Sequence, residues 1–297
     1  MKFSIVLSAQ PTRFEAVAFR GDFEHNLARI AALGYDGVEL AIRDPGLMDY
    51  GALLALLDRH HLAVPAIGTG QAWGEEHLSF TDPDPDVRRR AIERACAHIP
   101  FAAQVGAQVI IGLLRGVVQP GVDHTQANNW LVEALRRCAD AATPPAPPPP
   151  LPPPIGGGRA TPPALPYRGG RGGVKFCLEP LNRYETGLIH TVAEGLALIE
   201  QVGAENFGLL LDTFHMNIEE PNLAGAIRAA GERLFHFHVA DSNRWYPGAG
   251  HVDFGRVLTV LEEAGYTGYV SGEFLPLPDA LTAAERAIFH LRAVAPS

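Results

Sequence analysis

Cysteine is scarce and scattered: Cys96, Cys138 and Cys177 are odd in number, far apart and without CxxC spacing. A disulfide framework and a thiolate metal site are therefore not expected, and a reducing compartment, the cytoplasm, fits best. Long apolar runs are missing too. No stretch of about 18 apolar residues occurs, and "MKFSIVLSAQPTRFEA" turns polar too soon for a signal peptide, so neither a membrane span nor export is expected. Nor is positive charge in excess. The 24 Lys and Arg against 33 Asp and Glu leave a net charge of −9, which argues against a surface built for nucleic acid. Finally, no GxGxxG follows the first β-rich run, so a dinucleotide-binding sheet lacks its fingerprint.

What is present is apolar content, 47% of 297 residues, enough to bury a large core. Eight short β-rich runs recur: "KFSIVLS", "DGVELA", "AVPAIG", "AQVIIGLL", "VKFCLE", "NFGLLLD", "LFHFHVA" and "TGYVSGE". Between them lie stretches of helical period such as "FEHNLARIAALG", "DVRRRAIERACAHIPFAAQVG" and "TVAEGLALIEQVG", closed by Gly34, Gly106 and Gly203. Eight such alternations predict one α/β domain over residues 1–297, a (β/α)8 TIM barrel with its chemistry just past the C-terminal ends of the strands. An open doubly wound sheet is the alternative. One segment departs from the pattern. Thr143 to Gly173 holds 12 of the 25 prolines and cannot continue a helix or a central strand. It reads as a Pro/Gly-rich loop insertion, 143–173, between the fourth helix and the fifth strand, on the face away from the strand ends. A PxxP ligand for an SH3-like partner and a gene-model error are the other readings of it.

Four consecutive strands then end in hard metal ligands: Glu179, Asp212, His238 and Glu273. In a barrel these converge on one point, and three carboxylates with one imidazole suit a divalent ion. Mn²⁺, Mg²⁺ and Co²⁺ come first, with Zn²⁺ or Fe²⁺ as further candidates. The competing reading of any one of them is a helix cap, as Asp212 before "TFHMN" illustrates. Strands five and eight stand three places apart in the ring, so Glu179 and Glu273 approach a bound substrate from opposite sides. That arrangement predicts epimerisation or isomerisation, one glutamate removing a proton to give a metal-bound enediolate and the other returning one. Arg244 can hold substrate oxygens, His215 can donate to a developing oxyanion, and Glu185 can orient one of them. Against these stand a surface ion pair and a packed loop histidine. His236 reads as structural, not as a ligand.

The motifs "EPLNRYET", "LDTFHMNIEE", "HFHVADSNR", "PGAGHVDF" and "SGEF" stand in an order and spacing that resemble the xylose-isomerase-like TIM-barrel sugar isomerases and epimerases, in their ketose 3-epimerase branch. The resemblance runs from the first strand to the eighth helix and fails only at the Pro/Gly segment. It implies one divalent metal, Mn²⁺ first, on Glu179, Asp212, His238 and Glu273. It implies the two glutamates as the acid/base pair, with His215, Arg244 and Glu185 as substrate and orienting residues. "AFRGDF", "AIRDP", "AIGTGQA", "IIGLLRG" and "LPLP" further resemble enzymes of inositol catabolism acting on keto-uronates of the 5-keto-L-gluconate/D-tagaturonate type. Such a substrate needs a cation for its carboxylate. Arg115, at the end of strand four, is the preferred clamp and Arg43 the other, while Gln71 is a hydroxyl partner and Trp73 a cover for the sugar's apolar face.

Other reactions remain open from the sequence. A sugar isomerase or an inosose dehydratase shares the same enolisation. An endonuclease IV-like phosphodiesterase would need additional histidines after strands three and four, where "AIGTGQ" and "GLLRG" offer none. A sugar-binding or scaffold barrel without activity is the non-enzyme reading. The expected partner is a small sugar or sugar acid, with no nucleic acid and no membrane. By analogy with other barrels, a homodimer or homotetramer is expected.

Overall fold

A computed structural model describes residues 1–143 and 173–296, so the Pro/Gly segment lies outside the described residues except at its two ends. Eight parallel strands close into a barrel in chain order. They are β1 (Lys2–Ser8), β2 (Gly37–Ala41), β3 (Ala66–Gly68), β4 (Gln108–Ile111), β5 (Phe176–Leu178), β6 (Phe207–Asp212), β7 (Leu234–Val239) and β8 (Tyr269–Gly272). β1 closes the ring by pairing Lys2 with Tyr269 and Ile5 with Gly272. Both faces of the strands are covered, inside by barrel side chains and outside by helices, which is why the strands read as apolar runs without polar alternation. No helix among the described residues is long and apolar enough to cross a membrane.

Most helix starts follow a single chemical rule, a side-chain oxygen accepting a free backbone N–H. Asp49, Asp84, Asp123, Asp253 and Asp279 each accept a backbone N–H of the helix they precede, and Thr191 with Glu194 forms a complete capping box. Gly106 and Gly203 close their helices in the left-handed conformation, at φ 75° and 71°. The stretch expected to be one helix over "DVRRRAIERACAHIPFAAQVG" is two, Pro85–Ala97 and Ile99–Val105. Pro100 has no N–H to continue the first ladder, and its fixed φ suits the opening turn of the second.

One irregularity aims side chains at the site. Leu209 pairs with Leu234, but Leu210 pairs with His236, so β7 carries an extra residue against β6. Past this slip Asp212 lies beside His238, and His238 beside Ser271. A bulge re-aims the residues after it. Here it brings His236 and His238, two apart on one face of β7, to the barrel interior.

Candidate active site

The four residues at the ends of β5 to β8 come together. One ligand atom each from Glu179, Asp212, His238 and Glu273 lies within 4.8 Å of the others. His238 Nδ1 stands 3.9 Å from Glu179 Oε1 and 3.8 Å from Glu273 Oε2. Backbone contacts fix the two glutamates: Glu179 N–H donates to Ile111 O, and Glu273 N–H to Val239 O. At Gly112 a Cβ would come within 3.0 Å of Glu179 Oε2, so glycine is what leaves this carboxylate its space. Asp212 serves two purposes. Its Oδ1 caps the helix Thr213–Glu219 by accepting the Phe214 N–H at 2.8 Å, and its Oδ2 remains for the cluster.

The electrostatics of this group call for a cation. Burial, then the charge of Glu273, pushes Glu179 well above the usual carboxylate range. Burial raises Asp212 despite the charges of His238 and Arg244, and pushes Glu273 up to about 7. Glu179 Oε1, Asp212 Oδ2 and His238 Nδ1 are buried without a hydrogen-bond partner among the described residues. Buried polar atoms are nearly always satisfied, so three orphans facing one point are what a bound divalent ion explains. Three oxygen donors and one nitrogen suit it.

Around this cluster lies a cavity of about 240 Å³, lined by Glu179, Glu273, His238, His215, Arg244 and Glu185 on one side. Val6, Phe14, Ala41, Trp73 and Leu113 form the opposite, mostly apolar wall. Burial, with the charges of Arg244 and Arg115, holds His215 well below the usual histidine range, so the ring is neutral. The Asn182 backbone N–H, at 3.3 Å, points at its Nδ1, which assigns the proton to Nε2. That Nε2 is otherwise unpartnered and lies 3.7 Å from Glu179 Oε1. Arg244 donates to Glu185 at 2.7 Å, lies 3.9 Å from Glu273, and covers the Phe214 ring at 4.8 Å. Its backbone sits at φ 62°, rare for a residue with a side chain. The loop that holds it there is organised by Asp241, which accepts the N–H groups of Ser242, Gly248 and Val252.

Gln71 lines the cavity too, donating to Ser8 Oγ at 2.8 Å with its Oε1 unpartnered. Arg115, expected in the mouth, is fully buried and does not line the cavity. The chain turns into a 3-10 helix at Leu113–Arg115, and the guanidinium donates to Gly112 O and Leu188 O behind the wall. Arg43 pairs with Glu76 at 3.3 Å. Two residues not singled out from sequence belong to the constellation. Asn182 bonds both His215 and Glu185, and Glu39, in mid-β2, lies between His236 and His238. The signal for Glu39 was a lone charge inside an apolar strand, which has to find a buried partner.

A closed eight-stranded barrel with groups able to hold a metal at four consecutive strand ends defines the class of fold and site, and the comparisons fall within it. Residues 27–293 match the model of the xylose isomerase-like TIM barrel family, and the chain belongs to that family. It is similar to an L-ribulose 3-epimerase of Methylomonas sp., 30% identical over 89% of this chain and 86% of the relative. It is also similar to a D-psicose 3-epimerase of Ruminiclostridium cellulolyticum, 31% identical over 85% of this chain and 78% of the relative. Among solved structures, D-psicose 3-epimerase with D-tagatose from Clostridium cellulolyticum H10 superposes with a TM-score of 0.76 at 25% identity, covering 100% of both chains.

Proposed function

We propose that the protein is a divalent-metal-dependent ketose 3-epimerase in which one glutamate removes a proton from the substrate and the other returns a different one. The observation that carries this reading is the set of orphaned donor atoms on Glu179, Asp212 and His238, converging beside Glu273 at the floor of a sugar-sized cavity. Glu179, Asp212, His238 and Glu273 would hold a divalent cation, which would supply Lewis-acid polarisation of a ketose carbonyl and so acidify the neighbouring C–H. Glu179 and Glu273 reach the cavity from β5 and β8, on either side of His238, so one can take the C3 proton and the other return one to the opposite face. Their raised pKa values suit groups that carry a proton near neutrality. His215 presents a neutral Nε2–H as donor to a substrate oxygen. Arg244, held by Glu185, fixes the substrate against the Phe214 side.

The charge of the cavity favours a neutral ketose over a keto-uronate. Its lining cations among the described residues are Arg13 and Arg244, paired with Glu75 at 3.8 Å and Glu185 at 2.7 Å, and Arg115 faces away. Apart from the divalent cation itself, a substrate carboxylate would meet no buried, unpaired cation among the described lining residues and five glutamates: 39, 75, 179, 185 and 273. The names of the relatives, psicose and ribulose epimerases, point the same way. The test is proton NMR of the Mn²⁺-loaded protein in D2O with D-psicose, L-ribulose and D-tagaturonate. Deuterium at C3 with epimer formation is expected for a neutral ketose. Exchange confined to D-tagaturonate would overturn the neutral-substrate reading, and no exchange with any of the three would overturn epimerisation.

A further inference from the structure

Two buried ionisable groups in direct line with His238 have no part in the mechanism above, Glu39 and His236, each at most 1% exposed. Their partner is a proposed ligand. Glu39 projects from the middle of β2, and both groups that meet it come from β7 across the barrel. His236 Nε2 stands 2.7 Å from Glu39 Oε2, and His238 Nε2 stands 2.9 Å from Oε2 and 3.0 Å from Oε1. An ionised carboxylate only accepts, so each imidazole must present Nε2–H to it. His238 then has its lone pair on Nδ1, the atom that faces Glu179 and Glu273 without a partner.

We propose that Glu39, clamped by His236, is the positioning carboxylate that fixes the tautomer and ring direction of His238 for the metal. The proposal rests on the metal-site reading above. His236 contributes twice. Its Nε2–H holds the carboxylate against rotation, and its ring meets that of His238 edge-on, with centroids 5.2 Å apart at 79°. A rival use of the trio is a second metal site of its own, since Glu39, His236 and His238 are close enough together. The separations argue against it. Ligands bound at about 2.1 Å stand roughly 3.4 Å apart around a tetrahedral ion and roughly 3.0 Å apart around an octahedral one, whereas His236 Nε2 stands 2.7 Å from Glu39 Oε2, within the range of an N–H···O hydrogen bond. A carboxylate behind a metal-binding histidine raises its donor strength and holds its angle, and losing one costs about 10- to 100-fold in metal affinity.

The measurement is Mn²⁺ affinity of the full chain by competition with a chelator, together with the melting temperature of the metal-free protein. The variants are Glu39→Gln, His236→Leu and His236→Gln. Glu39→Gln is expected to bind Mn²⁺ about 10- to 100-fold more weakly, because an amide oxygen can accept from one ring while its NH2 opposes the other. His236→Leu is expected to lose part of that affinity. His236→Gln is expected to regain it, since its amide N–H reaches where Nε2–H stood. A merely structural role would lower the metal-free melting temperature and leave affinity alone. Wild-type affinity in Glu39→Gln would overturn the proposal. If that variant does not fold, equal affinities for the two His236 variants overturn it. Failure of the wild-type protein to bind Mn²⁺ would instead remove the metal-site reading itself, and the proposal with it.

Discussion

The two halves of the barrel differ in what their strand ends carry. β5 to β8 deliver Glu179, Asp212, His238 and Glu273, and the loops that follow add Glu185, His215 and Arg244. β1 to β4 deliver Val6, Ala41 and Ile110, with Phe14, Trp73 and Leu113 from their loops beside the Arg13–Glu75 pair, and the charge carried by their strands into the cavity, Glu39, reaches across to β7. On the proposed function, reaction and recognition are divided between halves of one ring. The second half would hold the groups that move protons, and the first the surface that decides what shape of sugar lies over them. Such a division lets one half change with substrate while the other keeps its chemistry.

The comparison breaks if variants in the two halves act alike. Glu179→Gln and Glu273→Gln should each lower kcat by about 10³-fold or more, since each removes a proton-transfer group and a ligand at once, while the protein still folds. C3 deuterium exchange measures this, and loss of epimer formation with exchange retained in one variant would identify which glutamate takes the proton from which epimer. His215→Leu should lower kcat by about 10²-fold through loss of one donor to the developing oxyanion, with KM little changed. A rise in KM alone would reassign His215 to ground-state binding. On the other half, Trp73→Ala should raise KM about 10-fold and leave kcat within a factor of two or so, because a wall contact holds ground state and transition state equally. Should Trp73→Ala reduce kcat as strongly as His215→Leu, the division between halves fails.

The same comparison explains what was legible in the sequence. The barrel was, because its strands are short apolar runs set off by capping residues, Asp before helices and Gly after them, and these are local signals. The convergence of Glu179, Asp212, His238 and Glu273 was, because a carboxylate or imidazole at a strand end is visible once the strands are counted. Glu39 was not. It lies in the middle of its strand, and its partners are 197 and 199 residues away, joined to it only when the ring closes. Arg115 misled for the opposite reason. It stands at a strand end in sequence, but the 3-10 turn at Leu113–Arg115 carries its guanidinium behind the cavity wall, a backbone detail that residue types do not encode. His236 reads as structural by itself; it shares a face with His238 because the two stand two apart on β7, but the carboxylate they meet comes from β2 and is joined to them only in the closed ring.

The smallest effect expected concerns a histidine in the first half. His98, fully buried where the helix Pro85–Ala97 gives way to Ile99–Val105, has both ring nitrogens unpartnered among the described residues. Burial, then the charge of Arg94, pushes its pKa down from 6.5 to about 3. The folded pKa therefore lies below the unfolded one, and the unfolded chain takes up a proton that the folded chain refuses. Stability linked to His98 is fully present above pH 6.5 and falls as pH drops from there toward 3. Between pH 6.5 and 5.5 the loss should be about 1 kcal/mol. Denaturant midpoints of wild type and His98→Leu across this window isolate the effect, since all other titrating groups are shared. The leucine variant should lose that slope and be at least as stable at pH 7, because it removes two buried polar atoms that pair with nothing. Its kcat should match wild type. Unequal kcat would mean that the first half reaches the chemistry through its outer helices, and the division between wall and reaction would have to be redrawn to include them.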